Sequence, residues 1–247
     1  MGVLDESNQQ AGKAQARRRG QEAIREDKRS IMERRLMNRM DDLHAYFKEF
    51  QQQLTLVNPE ITNDFYVTDL CTLKGLRQGA YQVTSDSSGH VHKFTFHYAL
   101  AGGGVREVKL PNKLAGEQKK EILWRYGFKF KLKEYASTGC ALLIEPYVPV
   151  SFEFESDVDR GAIHLKVKNK PMPGLFTYTY GTERMDAELM DEMAKYILDK
   201  PNSFNELSGN AIPENTLERI RRQLEREEKK ARGAKKSLGK KLFRRKA

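Results

Sequence analysis

The chain has no apolar stretch long enough to cross a bilayer, only two cysteines among 247 residues, and a single tryptophan. The missing stretch argues against a helical membrane span. The opening MGVLDESNQQ has no basic segment leading into an apolar one, so no secretory signal is expected. Position 6 holds Glu rather than Ser or Thr, which misses the myristoylation pattern after Gly2. Cys71 and Cys140 lie far apart and form no Cys-x-x-Cys motif. Two buried, reduced thiols in a cytoplasmic protein are therefore expected. The triple glycine 102–104 is not followed by Gly-Lys-Ser/Thr, so it reads as a flexible turn and not as a phosphate loop. No cofactor motif and no metal-binding spacing is present. Hydrophobic residues make up 38% of the chain, below the globular average of about 45–50%, and they concentrate between Met32 and Leu224.

What the chain does have is positive charge at both ends. Residues 226–247 hold eleven Lys/Arg against two acids, and residues 13–39 hold ten against four. The 186 residues between, 40–225, hold 23 bases against 26 acids. A near-neutral body with two cationic arms is suited to an anionic partner: nucleic acid, an anionic membrane surface or an acidic protein.

Residues 8–57 read as one long helix, rich in Gln, Ala, Glu, Arg and Lys and free of proline. Met32, Leu36, Met40, Leu43, Phe47, Phe50, Leu54 and Val57 recur at three- and four-residue steps. This heptad-like seam suits a stripe packed on the protein's own sheet or, alternatively, a homodimeric coiled coil. Asn58-Pro59 ends it. Strands are then expected at 80–86, 90–101, 105–110, 128–135, 141–145, 150–155, 162–168 and 175–180, with a hairpin turn at Ser87-Ser88-Gly89. Helical spacing returns at 114–126 and 184–198, and again from Glu214 into the basic tail. Phe128, Phe130 and Leu132 alternate with Lys129, Lys131 and Lys133; Ile163, Leu165 and Val167 alternate with His164, Lys166 and Lys168. One apolar and one polar face per strand points to an antiparallel sheet. The expected fold is α+β: a long N-terminal helix (1–57), a mainly antiparallel core with one or two packed helices (58–200), and a linker with a basic C-terminal helix and tail (201–247).

Candidate polyanion contacts are Arg17, Arg18 and Arg19 in the first arm, and Lys235, Lys236, Lys240, Lys241, Arg244, Arg245 and Lys246 in the tail. Neutralising phosphates with such groups releases counterions and gives salt-dependent affinity. Leu238, Leu242 and Phe243 among them would also suit a membrane surface. The two lysine rows could line up as a cationic sheet face, or pair across strands with Glu153 and Glu155. His90 and His92 share a strand face with Phe94, Phe96 and Tyr98, but no third ligand is evident, so an exposed hairpin end is expected rather than a metal site.

One catalytic alternative exists. Glu107-Val108-Lys109 falls on an expected strand, with Asp86 upstream. The run of long helix, strands, helix 114–126 and strand 128–135 resembles the αβββαβ core of PD-(D/E)xK nucleases. The resemblance implies Mg²⁺-dependent phosphodiester cleavage, with Asp86 and Glu107 holding the ion and Lys109 beside the attacking water. The residues as a whole favour a non-enzymatic nucleic-acid-binding or scaffolding protein, with the nuclease and a tail-anchored membrane adaptor as the other readings.

Overall fold

The computed structural model describes residues 3–87, 89–135 and 139–208. Residues 1–200 form one unit and 201–247 a second, of which the short helix Phe204–Leu207 is described. The first unit opens with helix α1 (Val3–Val57). Strands β1 (Thr62–Val67), β2 (Cys71–Ser85), β3 (Lys93–Ala101) and β4 (Arg106–Leu110) follow, then helix α2 (Lys113–Arg125). Next come β5 (Phe130–Glu134), β6 (Cys140–Ile144), β7 (Tyr147–Asp157), β8 (Ala162–Lys168), β9 (Leu175–Gly181) and helix α3 (Ala187–Ile197). This is the expected α+β architecture.

The strands divide into two antiparallel sheets. Six of them are ordered β1-β2-β3-β7-β8-β9, and three are ordered β4-β6-β5. In the large sheet Phe96 stands beside Val83 and Phe152, and Phe152 beside Val167. Phe94, Phe154 and Leu165 form the next rank. All of these but the half-buried Val83 are buried, and their alternates (Thr95, Glu153, Glu155, Lys166) are not. The period of two thus gives one apolar face that must be covered.

Helix α1 covers it. Leu36, Met40, Leu43, Phe47 and Leu54 are buried, with Met32 and Val57 exposed at the two ends of the seam. Phe47 lies at the centre, its ring 6.0 Å from Phe94, 5.4 Å from Phe96 and 5.1 Å from Phe154. Phe94 and Phe154 stack at 4.6 Å. Such ring pairs add about 0.5–1.5 kcal/mol each beyond area burial. Asn58, with φ of 45°, ends the helix, its N–H returning to the Leu54 carbonyl. Helix α3 meets the same face: Tyr196 packs against Phe152, and the Tyr46 hydroxyl donates to the Met190 carbonyl.

The small sheet has its own cover. Leu142 is flanked by Val108 and Leu132, and Ile144 by Arg106 and Phe130. Helix α2 lies over this face, capped by the Asn112 carboxamide accepting from the Ala115 N–H at 2.8 Å. At Gly116 the approach is closest, since a Cβ there would sit 2.6 Å from Cys140 Sγ. Both cysteines are buried free thiols. No described helix is long and apolar enough to cross a membrane.

Helix α1 begins earlier than its composition suggests, at Val3. Strand β1 and the first half of β2 show no clean alternation in sequence, because both lie where buried residues run together: Phe65, Tyr66 and Val67, then Cys71, Thr72 and Leu73.

Truncating Phe47 removes the ring that three strand-borne phenylalanines share. Phe47→Ala is expected to cost about 3–5 kcal/mol and to lower the denaturant midpoint accordingly. A midpoint within experimental error of the parent would contradict this packing.

Candidate nucleic-acid interface

Residues 105–145, which build the small sheet and α2, carry nine Lys/Arg against five acids. That leaves fourteen against twenty-one for the rest of residues 40–225. The positive charge of the folded body is therefore local to this layer. Because α2 covers the face of Leu142 and Ile144, the opposite face is the one turned outward. Its first rank is Lys109, Ala141 and Lys133; its second is Glu107, Leu143 and Lys131. The Glu145 N–H bonds to the Lys129 carbonyl at 2.9 Å, which adds Lys129 and Glu145 as a third rank. Lys109 and Lys133 stand two strands apart, about 10 Å, and successive β5 lysines stand about 7 Å apart.

The ion pairs of this layer involve other groups: Lys113–Glu134, Lys119–Asp69, Lys120–Glu117 and Arg125–Glu121. Lys109, Lys129, Lys131 and Lys133 enter none among the described residues. Two rings lie among them. Lys129 Nζ sits 4.3 Å from the centre of the Tyr147 ring, and Lys133 Nζ 5.6 Å from that of Tyr135. Tyr135 donates its hydroxyl hydrogen to Glu107 Oε1 at 2.8 Å.

The second lysine row has a different fate. Lys166 bonds Glu153 at 3.1 Å and Glu155 at 2.8 Å, and Lys93 bonds Glu153 at 3.0 Å. His164 Nε2 lies 3.1 Å from Asp157. So the two rows sit in different sheets. Among the described residues, His164 and Lys166 of the β8 row are paired across or along strands, as the pairing alternative expected, Lys168 is not, and no lysine of the Lys129–Lys133 row is. Burial alone would raise the Glu153 pKa, but hydrogen bonds from Lys93 and Lys166 outweigh it and hold the carboxyl below its ordinary value of 4.5. The Lys166 hydrogen bond likewise lowers Glu155.

The arm residues are placed as follows. Arg17 and Arg18 belong to α1 by backbone, and their side chains lie outside the described residues. Arg19 is exposed. Lys235, Lys236, Lys240, Lys241, Arg244, Arg245 and Lys246 lie outside the described residues, as does the helix expected from Glu214. In α1, at 3.6 residues per turn, Arg25, Lys28, Arg35 and Arg39 fall within an arc of about 80°. Glu22, Glu26 and Glu33 instead continue the side that Met40 and Phe47 bury further along. Arg29 pairs with Asp159 at 3.0 Å, and Arg39 lies 3.8 Å from Asp42. Arg25, Lys28 and Arg35 are exposed and enter no ion pair among the described residues.

The nuclease residues are not brought together. Asp86 sits in the bend after β2, its N–H bonded to the Lys93 carbonyl at one end of β3. Glu107 and Lys109 are on β4, reached through the glycine turn at the other end. The nine residues of β3 span about 30 Å. Glu107 and Lys109 do share one face, with Tyr135 and not a second carboxylate beside Glu107. Among the described residues, no three His, Cys, Asp or Glu side chains approach closely enough to hold a metal ion. His90 is exposed and lies 2.7 Å from Asp41, and Phe94, Phe96 and Tyr98 are core.

A second polar cluster was not foreseen in the sequence. Lys170, 7% exposed, reaches Asp199 at 2.7 Å and the Ile197 carbonyl at 3.3 Å, where the Gln78 amide also donates at 3.1 Å. Asn63 donates to the other Asp199 oxygen at 2.7 Å. Burial lowers the Lys170 pKa, with Asp199 opposing that shift. These donors meet the negative C-terminal end of α3 and fasten it to the sheet. A cavity of about 110 Å³ adjoins the cluster, lined by Asn63, Tyr98, Lys170 and Asp199 among others.

Compared with known proteins, the chain matches no family model, no curated protein and no solved structure at a significant level.

The lowered Glu153 and Glu155 pKa values mean that the folded state binds protons less readily than the unfolded one at these sites. Their contribution is present above the ordinary carboxylate range and is lost as pH falls through it. Denaturant melts between pH 7 and pH 3 should show stability falling below about pH 4.5, with a shallower fall in the Glu153→Gln, Glu155→Gln double variant. An identical pH dependence in that variant would show that the pairs contribute nothing.

Proposed function

We propose that the protein binds nucleic acid without catalysing its cleavage, gripping phosphates through basic surfaces and leaving base identity unread. The observation that carries this reading is the outer face of the small sheet. Among the described residues, four lysines there have no carboxylate partner, whereas Lys93 and Lys166 of the large sheet are each paired. Keeping several ammonium groups close together is unfavourable in isolation, and an anionic polymer relieves that repulsion. The exposed basic stripe of α1 and the +9 balance of residues 226–247 add two further contact regions of the same sign. Phosphate contacts of this kind position a partner and make affinity fall steeply with salt, since each neutralised phosphate releases counterion. A protein gripping several strands or segments through separate basic regions also serves as a scaffold.

Fluorescence anisotropy with purified full-length chain tests this across a salt series. Labelled nucleic acid should bind, with log Kd rising linearly with log salt. Deleting residues 229–247 should weaken binding and flatten that line, as should Lys109→Glu, Lys131→Glu and Lys133→Glu, each lowering the slope by about one. Affinity for anionic vesicles with none for nucleic acid would replace this reading with a membrane-surface role.

A further inference from the structure

We infer that the small-sheet face takes a single strand in preference to a duplex, with a base stacked on Tyr135; this rests on the nucleic-acid reading above. Three features of the face support it. First, Tyr135 is 37% exposed on the same side of β5 as Lys131 and Lys133, so a ring stands among cations. Its hydroxyl bond to Glu107 holds the ring in place before any ligand arrives, which removes an ordering cost on binding. Base faces are available to such a ring only when unstacked, as in a single strand.

Second, the cations surround the face and do not form one ridge. Lys109 is on β4; Lys131 and Lys133 are on β5, on the far side of β6, and Lys129 immediately precedes β5. Between them lie the fully buried Ala141 and the half-buried Leu143. A flexible backbone can follow the lysines while its bases lie over Leu143 and beside Tyr135. A duplex presents a convex wall of phosphate and keeps its base faces inside the stack.

Third, Glu107 and Glu145 lie within the lysine field. Carboxylates there repel a continuous phosphate wall. They can instead accept hydrogen bonds from the amino groups of exposed bases.

The surface of α2 offers a contrast. Trp124 is 78% exposed, but Lys120 and Arg125 beside it are paired with Glu117 and Glu121. Among the described residues that surface is charge-balanced, its Lys119, Lys120 and Arg125 all paired. Because Trp124 is the chain's one tryptophan, its fluorescence reports on α2 alone.

The test compares one mixed-sequence oligonucleotide as a single strand and as a duplex with its complement, using the full chain. The parent should bind the single strand more tightly. Tyr135→Ala should weaken single-strand binding about tenfold or more and leave duplex binding unchanged. Tyr135→Phe should lose far less single-strand affinity than Tyr135→Ala, because the ring contacts the base and the hydroxyl only holds the ring in place. Trp124→Ala should alter neither. As a check independent of folding, a bromouridine-substituted single strand should photocrosslink the parent chain at the peptide holding Tyr135. Equal affinity for both forms, unchanged single-strand affinity in Tyr135→Ala, or crosslinks confined to residues 1–57 and 209–247 would overturn the inference while leaving nucleic-acid binding intact. Absence of binding to either form would instead overturn the underlying function.

Discussion

Phe47 meeting Phe94, Phe96 and Phe154 fixes the molecule's layout. A six-stranded antiparallel sheet with one apolar face needs a cover, and α1 supplies most of it between Leu36 and Leu54. The helix is 55 residues long, so only about its last third lies over the sheet. The remainder carries charge on all sides, as a helix with nothing to bury must. Placing the apolar stripe at the C-terminal end of α1 is thus what leaves Arg25, Lys28 and Arg35 exposed. Core packing and the presentation of the basic stripe follow from one register.

The same economy of pairing separates the two sheets. On the outer face of the large sheet, Lys93 and Lys166 meet Glu153 and Glu155, and His164 meets Asp157. Charge there is locally cancelled, and exposed pairs of this kind contribute little stability. On the outer face of the small sheet the lysines of β5 and Lys109 of β4 outnumber Glu107 and Glu145. One surface is arranged for solvent and the other retains a net field. Lys170 shows a third arrangement, in which a cation is buried because Asp199 and the end of α3 need it.

Much of the fold could be read from periodicity. Phe128–Lys133 and Ala162–Lys168 alternate cleanly, Asn58-Pro59 marks the end of α1, and Ser87-Ser88-Gly89 marks the β2–β3 hairpin. The buried half of the Met32–Val57 seam follows the three- and four-residue steps. The site was less legible, and the reason is physical. Alternation reports which face a side chain takes but not which strand lies beside it. Lys129–Lys133 and His164–Lys168 look equivalent in sequence, yet β5 pairs with β6 and β8 lies between β7 and β9. Nothing local placed Lys109 two strands from Lys133, or showed that β3 would hold Asp86 far from Glu107. The Lys170–Asp199 contact spans 29 residues and depends on where α3 ends. The one cue was Lys-Pro after an asparagine at the end of an alternating strand.

Among the described residues, strand β5 is also an edge of the small sheet, with β6 on one side only. Unpaired backbone groups along such an edge invite a strand from another chain. A second copy adding there would bring its own β5 lysines alongside Lys129, Lys131 and Lys133, ammonium against ammonium at a strand's spacing. The row that suits a phosphate backbone therefore also opposes growth of the sheet through this edge.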